Sequence, residues 1–309
     1  MIRVGTRRSA LALVQANEVA GALRARGATV EIVPMRTEGD RLDGASLALV
    51  GGKGLFVREI EEALLASRID VAVHSLKDLP AELAPGLCLA ALPPRADARD
   101  VLVTRGGGRL RDLAPGAVVG TSSPRRRALV LAARPDLRVE PLRGNVDTRL
   151  RKLERAVCDA VILAAAGLQR LGVTPAHAEI LDPEDFIPAA GQGIIAVEAR
   201  VADGRILAAL AALDDRTTRA CAEAERAFLG RLGASCNSPL AAHATVMAGG
   251  DTLRLTALVA SDDGGAVLRA QREGSVTRAA AIGRELADAL LERGAADVAP
   301  LHPVAGRTG

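Results

Sequence analysis

The sequence predicts an α/β protein: two similar domains, each a sheet covered by helices, followed by a small α+β domain. Three observations predict it. Short apolar runs alternate with amphipathic stretches in β-α-β-α-β order, which implies a parallel or mostly parallel sheet under helices. The same alternation starts again near Arg99. From about Asp214 it gives way to one long helix, alternating segments and a final helix.

In the first domain "MIRVGT" is a strand, and "SALALVQANEVAGALRARG" follows at helical spacing with Gly27 as its stop. "TVEIVPM" is a strand, "REIEEALLASR" a helix and "IDVAVHS" a strand. The second domain reads "GAVVGTSS" strand, "PRRRALVLAARP" helix, "LRVEPLRGN" strand, "VDTRLRKLERA" helix and "CDAVILAAAG" strand. "LPPRADARD" (92–100) and "FIPAAGQG" (186–193) are crossovers, and "IIAVEAR" returns as a further strand. The third has "DRTTRACAEAERAFLGRLG" and "RAAAIGRELADALLERG" as helices flanking "TLRLTALVAS" and "AVLRAQREGS". The expected domains are residues 1–93 with 194–213, residues 99–187 and residues 214–309.

Composition narrows the function classes. Hydrophobic residues make up 49% of the 309, with no Tyr or Trp and three Phe, so the core must be aliphatic. Stacking platforms for single-stranded nucleic acid are nearly absent and the net charge is only +3, so no nucleic-acid partner is expected. Only three of the 40 basic residues are lysines (Lys53, Lys77, Lys152). No apolar leader and no run of 18 apolar residues occur, so neither a signal peptide nor a membrane span is expected. Cys88, Cys158, Cys221 and Cys236 are far apart and lack a CxxC pair. A reduced cytoplasmic protein with free thiols follows. The four histidines are scattered, so no metal site is expected.

Ligands of open α/β sheets bind beyond the carboxyl ends of the strands, and the unusual residues lie there. "HSLKDLP" puts Lys77 and Asp78 at a strand end, where a carboxylate can shuttle a proton or accept a bond from a substrate N–H. "TSSPRRR" (121–127) offers Ser123 as N-cap and Pro124 as first helical residue. Arg125, Arg126 and Arg127 then oppose the helix dipole, a pattern suited to binding carboxylate or phosphate. Arg143, Gly144 and Asn145 form a second basic junction with Arg149 beyond it; Arg170 marks a third, and Arg7, Ser9 and Gln15 a fourth. Four such junctions point to a ligand carrying several carboxylates or phosphates. "VGGKGLFV" (50–57) lacks the P-loop spacing and has the glycines of a mobile loop. Cys236, in "GASCNSPL", is either a structural thiol or an exposed reactive one.

Taken together, "GTRRSALAL", "TEGD", "VGGKGLFV", "DVAVHSLKDLP", "VGTSSPRR", "LRGNVDTRL", "AVILAAAGLQRL", "PAAGQG" and "SCNSP" resemble the porphobilinogen deaminase (hydroxymethylbilane synthase) family, in its order. The chain departs from the family pattern at Leu49, Pro124, Ser235 and Asn237. The resemblance implies two lobes similar to periplasmic binding proteins with the active cleft between them, and a third domain. It implies a monomeric transferase that adds four porphobilinogens, releasing ammonia each time, to a dipyrromethane cofactor; water then frees the linear tetrapyrrole. Cys236 would hold that cofactor by a thioether, and Asp78 would be the catalytic acid/base. Lys77, Ser75, Thr121, Ser123, Arg125, Arg126 and Asp40 would bind the cofactor. Arg7, Ser9, Gln15, Ser122, Arg143, Gly144, Asn145, Arg149 and Arg170 would bind substrate and growing chain. Lys53 and Phe56 would lie in the lid.

Overall fold

A computed structural model describes residues 1–36, 57–233 and 238–302. These fall into two compact units: Met1–Ala96 with Gly193–Arg219, and Asp97–Gln192 with Ala220–Gly309.

In the first unit, strands β1 (Ile2–Arg7), β2 (Val30–Met35) and β3 (Val71–Ser75) are parallel, with β1 in the middle. Beyond β3 the sheet continues through β10 (Ile195–Arg200) to β4 (Leu87–Ala91). β10 is antiparallel to both neighbours. Helix α1 (Ala10–Arg24) buries Ala16, Val19, Ala20 and Leu23 against one face. Helix α2 (Arg58–Leu65) buries Ile60, Ala63 and Leu64 against the other. Helical spacing of apolar residues on the two helices accounts for both coats.

The second unit repeats this plan. β6 (Val118–Gly120), β7 (Arg138–Glu140) and β8 (Ala160–Ala164) are parallel, and β5 (Asp100–Thr104) runs antiparallel beside β8, followed by β9 (Ala178–Ile180). Helix α3 (Pro124–Ala133) packs on one face through Ala128, Leu129 and Val130; α4 (Val146–Glu154) and α5 (Ala165–Leu171) pack on the other. Both sheets are therefore mostly parallel, as expected, each with one reversed strand: β10 in the first and β5 in the second. The physical reason is the chain path: β5 and β10 each follow a crossover and enter their sheets from the opposite end.

The same unit contains an antiparallel sheet of β11 (Leu240–Val246), β12 (Thr252–Ala260) and β13 (Val267–Ser275). It is covered by α6 (Arg216–Leu232) and α7 (Ala279–Glu292), with Phe228, Leu232 and Leu286 in its core. Ala241, Leu258 and Ala260 of this sheet also join the core made by Leu102, Val119 and Leu129. No helix of the described residues is long and apolar enough to cross a membrane.

Candidate active site

In the first unit, β1 and β3 are parallel neighbours, so the residues after their carboxyl ends share one sheet edge. After β1, the Ser9 hydroxyl caps α1 by accepting from the Ala12 N–H at 3.3 Å. Arg7 beside it is half-buried. Gln15 is buried on the inner side of α1 and donates through Nε2 to Ser75 Oγ at 2.9 Å. The chain then makes a single tight turn, Leu76–Asp78, pinned by the Leu76 N–H donating to the Ile194 carbonyl at 2.9 Å. That turn leaves Lys77 half-buried and Asp78 exposed.

In the second unit, β6, β7 and β8 end on one edge in the same way. Thr121 is buried and its hydroxyl accepts from the Ser123 N–H. Ser123 in turn caps α3 by accepting from the Arg126 N–H at 3.4 Å, while Ser122 is exposed. Asn145 stands at the N-cap of α4 without a side-chain capping bond. Arg149 Nε donates to the Gly144 carbonyl at 2.8 Å and Lys152 Nζ to the Arg143 carbonyl at 3.1 Å. Arg170 is half-buried near the end of α5. Gly144 has φ of +119°, and a Cβ there would meet Thr148 Cγ2 at 2.6 Å. Gly144→Ala is expected to cost roughly 1–3 kcal/mol through backbone strain, measurable as a fall in Tm.

Arg125 and Arg126 are not solvated first-turn arginines. Both are buried. Arg125 donates to Asp100 Oδ2 and the Ile187 carbonyl, each at 2.7 Å. Arg126 donates to Asp100 Oδ1 and the Ile162 carbonyl, each at 2.7 Å. Gln192 Nε2 bonds the same Asp100 Oδ1 at 2.9 Å and the Ala98 carbonyl at 2.6 Å. Burial alone would raise the Asp100 carboxyl; the two guanidiniums and Gln192 overcome it and hold it well below the usual carboxylate range. Burial likewise lowers Arg125, against the opposing pull of Asp100.

Sequence reasoning missed Asp100 and Gln192 because both lie in segments that read as crossovers. The available signal was an aspartate heading the apolar run "DVLVT", which a buried strand tolerates only when the carboxylate is paired. Asp40, Lys53, Phe56 and Cys236 lie outside the described residues. Among the described residues, Cys88, Cys158 and Cys221 form no disulfide. Among the described residues no cluster of three or more His, Cys, Asp or Glu is placed to hold a metal ion.

The family model "Porphobilinogen deaminase, dipyromethane cofactor binding domain" matches residues 2–208, and "Porphobilinogen deaminase, C-terminal domain" matches residues 219–292. The chain belongs to the porphobilinogen deaminase family. Curated relatives include the porphobilinogen deaminases of Syntrophobacter fumaroxidans and Roseiflexus castenholzii. The first is 49% identical over 96% of this chain and 96% of its own length; the second is 50% identical over 95% and 96%. Among solved structures, the periplasmic aliphatic sulphonate binding protein SsuA from Escherichia coli is similar at 17% identity and TM-score 0.39, covering 73% of each chain.

A dipyrromethane cofactor of this family carries acetate and propionate side chains, and the buried arginine pair suits such a group. Arg125, Arg126 and Asp100 together hold one net positive charge. The Nε atoms of both arginines are buried and have no hydrogen-bond acceptor among the described residues. An unmatched buried donor is unfavourable until an acceptor reaches it, and a carboxylate would supply both an acceptor and the opposite charge.

Proposed function

We propose that the chain joins four porphobilinogen molecules head to tail, releasing one ammonia at each addition, on a dipyrromethane held through Cys236, and then releases the linear hydroxymethylbilane by hydrolysis. The observation that carries this reading is the buried, net-positive Arg125–Arg126 pair with two unmatched donors. When bound, the dipyrromethane supplies the pyrrole carbon onto which each new unit is built. The chain's own residues do the rest. Arg125 and Arg126, with Ser75, Lys77, Thr121, Ser123 and Asp40, hold the cofactor. Arg7, Ser9, Gln15, Ser122, Arg143, Gly144, Asn145, Arg149 and Arg170 take the incoming monomer and the lengthening polyanion. The exposed Asp78 carboxylate accepts pyrrole N–H bonds and stabilises the positive charge that develops as ammonia leaves. The protein works as a cytoplasmic monomer.

Intact mass spectrometry with a pyrrole-specific stain tests the reading. Purified protein is expected to exceed its sequence mass by two pyrrole units and to stain. Cys236→Ser is expected to match its sequence mass, stay unstained and be inactive. Active protein without the added mass rejects the covalent primer.

A further inference from the structure

Residues 186–193 read as a crossover in the sequence, and the reaction above gives them no part. The structure makes this stretch a meeting point of three segments of the second unit. Its turn Ala189–Gln192 is closed by the Gln192 N–H donating to the Ala189 carbonyl at 3.0 Å. Three consecutive residues of the turn then take three different partners. Ala190 packs into the core of the antiparallel sheet with Cys221, Ala224 and Phe228. The Gly191 N–H donates to Glu225 Oε2 at 2.6 Å. The Gln192 side chain donates to Asp100 and to the Ala98 carbonyl.

Glu225 comes from the interior of α6 and is completely buried. A buried carboxylate is tolerated only where hydrogen bonds replace its water. Its second oxygen, Oε1, accepts from the Ala244 N–H of β11 at 2.7 Å. One side chain thus ties the turn and β11 to α6. The residue type matters, because a carboxylate offers two acceptor oxygens. An amide offers one, and would turn its own N–H groups toward the other donor.

The turn passes this anchorage on. Gln192 spends Nε2 on the Ala98 carbonyl at 2.6 Å and on Asp100 Oδ1 at 2.9 Å. Arg126 donates to the same Oδ1, and Arg125 to Oδ2. Gln192 therefore fixes the plane of the Asp100 carboxylate from outside the arginine pair. We propose that Glu225 is a positioning residue for Arg125 and Arg126. Glu225 holds Gly191, which sets Gln192; Gln192 sets Asp100, and Asp100 sets both guanidinium planes. The consequence for catalysis rests on the cofactor-holding role given to the arginine pair above; the route from Glu225 to the guanidiniums does not.

Arginine side-chain NMR and cofactor loading test the two halves separately. Cys236→Ser serves as the cofactor-free background for NMR. There the guanidiniums of Arg125 and Arg126, assigned by signal loss in Arg125→Lys and Arg126→Lys, are expected to rotate slowly, as fixed planar donors do. Adding Glu225→Gln or Gln192→Met is expected to abolish the slow rotation while the backbone spectrum stays folded. With Cys236 intact, each variant is expected to lower the loaded fraction of folded protein, read by intact mass, by about tenfold. The double variant is expected to load no worse than Gln192→Met alone, because residues on one route are not additive. Losses that multiply would make Glu225 merely structural and overturn the route. Slow rotation retained in folded Gln192→Met also overturns it, whether or not Glu225→Gln folds. Slow rotation lost with wild-type loading would instead remove the cofactor-holding role of the arginine pair and leave the route standing.

Discussion

Asp78→Asn is expected to lower kcat by between about a hundredfold and about ten-thousandfold, the range lost when a positioned acid/base is removed. Asparagine keeps the shape of the side chain but carries no negative charge and cannot take up a proton at neutral pH. A cation forming as ammonia departs would then face a neutral amide. Asp78 is exposed on a turn whose backbone is held by Leu76 and Ile194, so the change removes no buried contact. Stability should stay within about 0.5 kcal/mol of wild type, as for surface substitutions. Mass spectrometry of Asp78→Asn is expected to show the cofactor still attached when the protein is supplied with preformed primer. Single-turnover measurements with porphobilinogen then isolate the chemical step. Near-normal turnover would remove Asp78 from the central role.

Asp100→Asn is expected to produce the largest loss of stability, about 3–5 kcal/mol, as when one partner of a buried ion pair is removed. The side chains of Asp100, Arg125 and Arg126 are 0%, 4% and 7% exposed. The variant would leave two buried guanidiniums facing each other without a counter-charge. Set against a typical total of about 5–15 kcal/mol, that loss should be plain in a thermal or urea melt. The variant is also expected to load cofactor poorly, because the two Nε donors lose the carboxylate that fixes their guanidinium planes.

Acid sensitivity provides a second readout with a defined sign. The folded-state carboxyl of Asp100 is depressed. Its stabilisation is therefore present above the unfolded aspartate value, near about 3.9, and is lost as pH falls below it toward the folded value. Wild-type stability should drop steeply on acidification through that window, and Asp100→Asn should show a shallower dependence. A variant with wild-type Tm and wild-type acid sensitivity would show that Asp100 does not carry the arginine pair.

The strand-to-helix junctions were legible because their signals are local. An N-cap serine, a proline at the first helical position and basic residues after an apolar run are set by backbone geometry within a few residues. Ser123, Pro124 and the capped α3 are found where that pattern predicts, as is Ser9 at the start of α1. The fate of Arg125 and Arg126 was not legible. Their charge at a helix start predicted an anion nearby, and the structure supplies one from β5, 25 residues away in sequence.

The sequence by itself determined the alternation of strands and helices, the aliphatic core, the edge on which the polar residues gather, and the family, because all of these depend on residue order and spacing. Only the tertiary structure decided which charges meet. β5 runs antiparallel beside β8 and so brings its first residue, Asp100, level with the end of β8 at Ala164. β10 does the same in the other unit, bringing Ile195 level with Ser75. A strand reversed by its crossover carries its amino end to the carboxyl edge of the parallel strands, and no local pattern of residues encodes that direction.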